Sequence, residues 1–281
     1  MNLRNLFRRL FFFVMPRRAY KFVLNEFTRP VDLDGLTEIL ACTRHLRTIE
    51  TIEMQTPLAQ RVLVVAPHED DEMIGPGGTI MKLLQVGATV RVVYLTDDSS
   101  KWGLERRRET LAVRAQVGYE TEFLGYPSGS LPINSESSGK LAKSINTFSP
   151  EVLLVPFLSD DHPEHRAASR LLFDASGEGL INGKPEIWAY QVYSALLANV
   201  AIDITDVADQ KAEAIRMWRN SAMRSRDWAH YALGLNAYNC RLLRGHVDQR
   251  YVEAFFVVPF DAYIELCNRY TAAPATSSGD A

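Results

Sequence analysis

The fold is decided by residues 61–72, which read RVLVVAPHEDDE. After Arg61, the first half of this stretch is a short apolar run rich in β-branched side chains, which predicts a buried strand. Further predicted strands are Thr89–Leu95, Glu122–Leu124 and Glu151–Phe157, and they alternate with predicted helices at Gly77–Val86, 104–117, 141–148 and Pro163–Ala175. Alternation at this spacing is typical of βαβ units and indicates a parallel sheet covered by helices.

The remainder of the chain extends this pattern. We predict a strand at 187–196, helical stretches near 206–223 and 228–243, a closing strand at Tyr251–Val258 and a turn-rich, mobile loop at 127–140. The predicted fold class is therefore α/β, with a Rossmann-like, mostly parallel sheet and helices on both faces, in a single domain. The expected division of the chain is a basic aromatic segment at 1–30, the domain at 31–262 and a partly disordered tail at 263–281.

Composition excludes several classes of protein. The chain has 281 residues, of which 47% are hydrophobic and 23% charged, as in a globular protein with a full core. The net charge of -3 disfavours a protein that coats nucleic acid. The three cysteines (Cys42, Cys240 and Cys267) form no Cys-x-x-Cys pair, which excludes a disulfide scaffold and suits the reducing cytoplasm. The sequence leaves the oligomeric state open.

The first 25 residues differ from the rest of the chain. They carry six basic side chains and no acidic one, around the apolar run Leu10–Met15. Six apolar residues are too few to span a bilayer, and Pro16-Arg17-Arg18 follows where a signal-peptide cleavage site would need small residues. Two interpretations remain open: peripheral contact with an anionic membrane, or packing of the aromatic side chains on the domain.

Two short motifs concentrate ionisable side chains at predicted strand ends. The first is Pro67-His68-Glu69-Asp70-Asp71-Glu72, directly after the first of these strands, and the second is Asp160-Asp161-His162-Pro163-Glu164-His165, after the strand at 151–157. Ligand sites of open α/β sheets lie at the carboxyl ends of the strands. His162 stands where a helix cap is expected, with Pro163 at the first helical position, so His165 lies one turn along on the same side.

The combination of imidazoles and carboxylates predicts a metal site. Four carboxylates in one loop repel one another unless a cation offsets their charge. Histidine and carboxylate ligands without thiolate suit Zn²⁺, with Fe²⁺ as the alternative. Three protein ligands would leave one coordination position for water, as in catalytic rather than structural zinc sites.

The motifs resemble those of the PIG-L/LmbE-like family of zinc-dependent N-deacetylases, which act on N-acetylglucosaminyl compounds. The family's first motif reads Ala-His-Pro-Asp-Asp-Glu, and its second centres on His-x-x-His at a strand end. Looser similarities are the helix segment Arg107-Arg108-Glu109, the pair Lys211 and Ala214, and the strand segment Glu253-Ala-Phe255. The resemblance covers residues 61–258 and implies a metal-dependent hydrolase.

Carried over by position, the resemblance assigns a role to five motif residues. It implies His68, Asp71 and His165 as zinc ligands, Asp70 as general base and His162 as a protonated helper. These roles agree with the chemistry of the side chains, since a carboxylate takes a proton from water and an imidazolium stabilises an oxyanion or protonates a leaving amine. The implied products are acetate and a free amino sugar, from a small-molecule or glycolipid substrate.

The chain also departs from the family's pattern. Glu69 replaces the motif's proline, and the stretch after the third strand lacks the aspartate that many members place near the sugar. Arg108 is the predicted substrate contact by analogy, and the alternative is an exposed helix cation.

Four other interpretations remain open. Gly75-Pro-Gly77-Gly78, followed by Asp97, imitates a dinucleotide-binding loop, but the spacing differs and the acids before it would repel a pyrophosphate. Two histidines and one carboxylate are also the ligands of non-haem Fe(II) oxygenases. A third alternative is a non-catalytic binding protein of the same fold. A fourth is a deacetylase or amidase that acts on another N-acylated small molecule.

Overall fold

The structure is a computed structural model that describes residues 51–97, 101–194, 196–218, 227–243 and 249–272. The predictions for the basic aromatic segment at 1–30 and for residues 273–281 lie outside this part of the chain. No helix among the described residues has both the length and the apolar character needed to cross a membrane.

The described elements alternate as the sequence predicts. The strands are β1 (Ile52–Met54), β2 (Arg61–Ala66), β3 (Thr89–Asp97), β4 (Glu120–Pro127), β5 (Val152–Pro156), β6 (Glu186–Tyr190), β7 (Val200–Asp203) and β8 (Val252–Val258). The helices are α1 (Asp71–Ile74), α2 (Gly77–Gln85), α3 (Lys101–Val117), α4 (Ser135–Phe148), α5 (Pro163–Gly177), α6 (Ala208–Ile215), α7 (Trp228–Asn239) and α8 (Phe260–Ala272), with 3-10 turns at Thr205–Val207 and Cys240–Leu242.

These strands form one sheet in the order β1-β7-β8-β6-β5-β2-β3-β4. Neighbouring strands run parallel, except that β8 is antiparallel to both β6 and β7. Side chains alternate between two cores: Val62 and Val64 of β2 face one, and Leu63 and Val65 face the other. Helices α2, α3, α6 and α7 contribute to the first core and α4, α5 and α8 to the second, so the predicted α/β fold with helices on both faces is confirmed.

The central strands position the two motifs. Strands β2 and β5 are paired in parallel, with Val62 opposite Val152 and Val64 opposite Leu154. The loops that leave their carboxyl ends therefore start at the same edge of the sheet. Strand β6 follows β5 in the sheet and ends at this edge as well, which places the chain after Tyr190 beside both motifs.

Several element boundaries differ from the sequence predictions. The predicted loop at 127–140 ends where α4 begins at Ser135, because Asn134 and Ser137 form a reciprocal capping box. The predicted strand at 187–196 stops at Tyr190, and β1 and β7, of three and four residues, were not predicted. The domain does not end at residue 262, since α8 continues to Ala272 and buries Tyr263, Leu266 and Cys267 beyond that point.

Candidate metal and active site

Three histidines meet at the carboxyl edge of the sheet. His68 follows β2, while His162 is the N-cap of α5 and His165 lies in the first turn of that helix. The ring centroid of His162 is 4.8 Å from that of His68 and 4.8 Å from that of His165, and the His68 and His165 centroids are 5.5 Å apart. The structure thus brings together the histidines of the two predicted motifs.

Asp71 lies between two of these rings at the start of α1. Its Oδ2 accepts a hydrogen bond of 2.9 Å from the His68 amide, and it lies 3.2 Å from both His68 Nδ1 and His165 Nε2. In a tetrahedral site with bonds of about 2.0–2.2 Å, neighbouring ligand atoms are about 3.3 Å apart. The Asp71 oxygen therefore lies close to this spacing from each of the two predicted histidine ligands.

Unpaired buried atoms support the same interpretation. Asp71 Oδ1 and His165 Nε2 are buried and have no hydrogen-bond partner among the described residues. Such atoms are rare in folded proteins because losing water without gaining a partner is costly. A divalent cation would satisfy His165 Nε2. A second ligand set also fits geometrically, because ligand atoms of His68, His162 and His165 lie within 4.8 Å of one another.

Two further carboxylates orient the histidines, and neither has a role in the predictions from sequence. Glu164 Oε2 lies 2.7 Å from His68 Nε2, and Asp160 Oδ1 lies 3.0 Å from His165 Nδ1. Each contact leaves the other ring nitrogen directed towards Asp71. Metal-binding histidines are commonly held in this way by outer carboxylates, which fix the tautomer and the ring orientation. The only indication of this role in the sequence is that both acidic residues belong to the second motif.

Glu164 also holds the loop after β4. Its carboxylate accepts hydrogen bonds of 3.0–3.1 Å from the amides of Gly129 and Leu131. Burial raises the pKa of Glu164, but the bonds from His68 and from these two amides outweigh it and lower the pKa to about 2. The first part of the segment predicted as a mobile loop is therefore bonded to the site.

The carboxylates of the site favour positive charge on two of the imidazoles. Burial lowers the pKa of His68, but its bonds to Asp71 and Glu164 raise it to about 9. Burial likewise lowers the pKa of His165, while the carboxylates of Asp71 and Asp160 raise it to about 10. The buried carboxylates thus retain protons on two imidazoles. A metal ion would replace this positive charge, since metal binding to histidine displaces protons.

Asp70 has an unusual backbone and a fixed side chain. Its φ of 137° lies in the region that side-chain-bearing residues rarely adopt, and such strain is concentrated at functional sites. Arg106 holds it in place, donating from Nη2 to Asp70 Oδ2 at 2.7 Å and from Nε to the Glu69 carbonyl at 2.9 Å. Burial raises the pKa of Asp70 to about 6, although Arg106 opposes the shift.

His162 is held as a neutral donor. Its Nδ1 accepts a hydrogen bond of 3.3 Å from the Glu164 amide, which leaves Nε2 as the nitrogen that carries hydrogen. Burial, together with the neighbouring His165 and His68, lowers the pKa of His162. The structure therefore favours a neutral ring over the imidazolium expected from the sequence.

Arg108, the predicted substrate contact, lies on the exposed part of α3. Its side chain is exposed, whereas Arg106 reaches Asp70, because residues two apart on a helix project in nearly opposite directions. Arg107 also reaches the loop, with Nε 3.3 Å from Glu69, and pairs with Asp97. Glu69, the residue that replaces the family's proline, is thus buried among arginines, and burial raises its pKa to about 7.

The glycine run after the first motif serves packing rather than phosphate binding. A Cβ at Gly75 would lie 2.5 Å from the Tyr190 ring, and one at Gly78 would lie 2.8 Å from the side chain of Ile204. The amides at the start of α2 are bonded to the protein's own Glu253 carboxylate, from Gly78 at 2.7 Å and from Thr79 at 2.8 Å. A pyrophosphate would have to displace this carboxylate, which argues against dinucleotide binding here.

Lys211 neutralises Glu253 in the interior. Its Nζ lies 2.7 Å from Glu253 Oε1, 2.9 Å from the Gly75 carbonyl and 3.0 Å from Asn236 Oδ1, and its side chain has no exposed surface. The looser similarities at Lys211 and Glu253 therefore correspond to a buried ion pair that supports the helix after the first motif.

We expect Lys211→Met to destabilise the protein by about 3–5 kcal/mol, because it leaves the Glu253 charge buried without its partner. The midpoint of urea unfolding measures this change. Adding Glu253→Gln should restore part of the loss. The exposed pair Lys184–Asp261 provides the control, since Lys184→Met should cost about 1 kcal/mol or less. Equal losses in the Lys211 and Lys184 variants would contradict this interpretation.

The fold and the site together define an α/β protein with a candidate metal centre at the carboxyl ends of β2 and β5. Residues 63–176 match the profile of the PIG-L family, described as GlcNAc-PI de-N-acetylase. This range runs from β2 to α5 and contains both motifs. The resemblance to the PIG-L family found in the motifs is therefore confirmed over this segment of the chain.

Individual proteins are similar to this chain in sequence or in fold. Diacetylchitobiose deacetylase of Thermococcus kodakarensis is 28% identical over 235 residues, which are 74% of this chain and 86% of the relative. The structure of N,N'-diacetylchitobiose deacetylase from Pyrococcus horikoshii, in complex with an inhibitor, superposes with a TM-score of 0.62 at 22% identity, covering 88% of this chain and 94% of that one.

A third likeness shows that the fold alone does not determine the reaction. The structure of GalB, the 4-carboxy-2-hydroxymuconate hydratase of Pseudomonas putida KT2440, superposes with a TM-score of 0.59 at 22% identity, covering 71% of this chain and 96% of that one. Function must therefore be argued from the residues of the site.

Proposed function

We propose that this protein is a metal-dependent N-deacetylase that removes the acetyl group from an N-acetylglucosamine-type amino sugar conjugate and releases acetate. The observation that carries the proposal is the position of Asp71 Oδ2, 3.2 Å from both His68 Nδ1 and His165 Nε2. The family match and the deacetylase relative support the reaction class.

The donor set favours zinc, with Fe²⁺ as the alternative, and His68, Asp71 and His165 are the proposed ligands. When bound, such an ion lowers the pKa of a coordinated water to about 7 and polarises a carbonyl oxygen. Glu164 and Asp160 hold the two imidazoles in the required tautomers. In the alternative ligand set, His162 replaces Asp71 as the third ligand beside His68 and His165. Measuring the zinc affinities of Asp71 and His162 variants distinguishes the two sets.

Asp70 is the proposed general base. Its carboxylate is near enough to His68, Asp71 and His165 to interact with their charges, while its Oδ2 is bonded to Arg106. Arg106 fixes its orientation, and burial brings its pKa to about 6, closer to neutral pH than an ordinary aspartate. A carboxyl group with this pKa is mostly ionised at pH 7 and can therefore accept a proton from the attacking water.

His162 is the proposed donor to the reacting group. With Nδ1 accepting from the Glu164 amide, its Nε2–H can donate a hydrogen bond to the developing oxyanion, and the proton that Asp70 takes from the water passes to the leaving amine nitrogen. The amine departs as a free amino sugar, and the acetyl group leaves as acetate.

An acetate-release screen tests this function. The substrates are N-acetylglucosamine conjugates with lipid, nucleotide, polyol and sugar aglycones, each assayed with and without a chelator. Matched N-propionyl and N-formyl compounds cover the alternative of an amidase for other N-acylated molecules. We expect chelator-sensitive release of acetate that persists without oxygen, which an iron oxygenase would not show. Absence of release from every conjugate would contradict the proposal.

The proposed location is the cytoplasm, with peripheral membrane contact through residues 1–25. We expect the full chain to sediment with vesicles that contain anionic lipid, because six basic side chains surround an aromatic run. A version that starts at residue 26 should remain in the supernatant, and both should remain there with neutral vesicles. Equal sedimentation of the two versions would show that this segment is not the membrane contact.

A further inference from the structure

A chain of aromatic rings leads away from the proposed metal site. Tyr193 stacks on His165 with ring centroids 5.1 Å apart and an angle of 13° between the ring planes. Trp228 follows at 5.6 Å from Tyr193, and Tyr231 at 5.8 Å from Trp228. The rings therefore form a continuous path from a proposed metal ligand to the surface of α7.

The first ring of this path is fixed to the site. Tyr193 lies three residues beyond the end of β6, at the sheet edge that holds both motifs. Its amide donates a hydrogen bond of 3.1 Å to Asp160 Oδ2, the carboxylate whose other oxygen contacts His165. The position of Tyr193 is thus coupled to the orientation of the metal-binding histidine.

All three rings of this path are at least partly exposed to solvent. Tyr193 is 42% exposed and Tyr231 is 56% exposed, while Trp228 is half-buried and packs against the core. Trp228 and Tyr231 are three residues apart on α7, so they share one side of that helix. Neighbouring exposed aromatic side chains can mark a ligand-binding surface, and these three adjoin the proposed active site.

The chemistry of these rings favours a sugar over an acyl chain. Each ring offers an apolar face together with a polar group at its edge, namely two phenol hydroxyls and one indole N–H. A pyranose has the complementary surface, with a face of C–H groups and a rim of hydroxyls. A lipid tail would instead require enclosed aliphatic walls.

We propose that Tyr193, Trp228 and Tyr231 form a stacking subsite for the sugar residue that follows the reacting N-acetylglucosamine, so that the preferred substrates are oligosaccharides of two or more residues. The inference rests on the proposed deacetylase function. It adds the class of aglycone, which the two motifs do not determine.

The test compares kcat/KM for N,N'-diacetylchitobiose with that for N-acetylglucosamine. In Tyr231→Ala we expect this ratio to fall by about 3- to 10-fold through a higher KM for the disaccharide, whereas Tyr231→Phe, which keeps the ring, should retain most of the preference. Tyr238→Ala is the matched control, because Tyr238 lies two turns further along α7, contacts Arg241 and should not alter the ratio. An unchanged ratio in Tyr231→Ala would overturn the proposal.

Two further measurements separate the possible outcomes. If Tyr231→Ala weakens the use of an octyl glycoside of N-acetylglucosamine and leaves the disaccharide unaffected, the rings bind an alkyl chain and the sugar subsite is wrong. Calorimetry with the Asp70→Asn protein measures the affinity for the disaccharide in the absence of turnover. Weaker binding on adding Tyr231→Ala supports the subsite even if no acetate is ever released, and equal binding overturns it.

Discussion

Asp70→Asn should lower kcat by about 10²- to 10⁴-fold while the protein retains its full content of zinc. The substitution preserves the shape of the side chain and an oxygen that can still accept from Arg106, but it removes the proton acceptor. Steady-state kinetics and metal analysis of the same preparation measure the two effects separately.

Asp161→Asn is the matched control for this variant. Asp161 belongs to the second motif, yet its side chain is exposed, so the same chemical change should leave kcat near that of the unmodified protein. Activity close to normal in Asp70→Asn would show that another group takes the proton. Loss of zinc together with activity would show that Asp70 is a ligand.

Asp71→Asn should weaken zinc binding by about 100-fold or more, because it removes the charge that lies between His68 and His165. Glu164→Gln should have a smaller effect, about 10- to 100-fold, since Glu164 orients His68 without being a proposed ligand. Competition with a chromophoric chelator measures both affinities, and circular dichroism confirms that each variant is folded.

A contrary result would distinguish the two possible ligand sets. If Asp71→Asn binds zinc normally while His162→Ala does not, the ion is held by the three histidines, whose ligand atoms also lie within 4.8 Å of one another. The role proposed for His162 as a hydrogen-bond donor to the oxyanion would then be wrong, because its nitrogen would be occupied by the metal.

The local sequence is sufficient to predict the centre of the fold and the position of the site. The apolar run 61–66 and the strand before Asp160 have strong, short patterns, and parallel pairing of their strands brings the following loops together. These patterns alone therefore predict that His68, His162 and His165 lie in one cluster. The cap at His162 follows from Pro163 in the same way.

Features that depend on distant contacts could not be predicted. Three consecutive arginines in α3 give no indication of which one faces the site, and only the position of the helix selects Arg106 over Arg108. Glu253 caps α2 from 175 residues away, so its role cannot be read from the glycine run. The short strand β7 has too few residues for a clear pattern and is specified by pairing with β8.

Zinc titration of the metal-free protein tests the central claim most directly, with acetate release from an N-acetylglucosamine conjugate as the measurement. The two motifs are proposed to hold one ion that is required for hydrolysis. Activity should therefore be absent in the chelated protein, rise with added zinc and level off at one equivalent per chain, with one free amine formed for each acetate. Full acetate release by the chelated protein, or a plateau that requires no zinc, would contradict this claim.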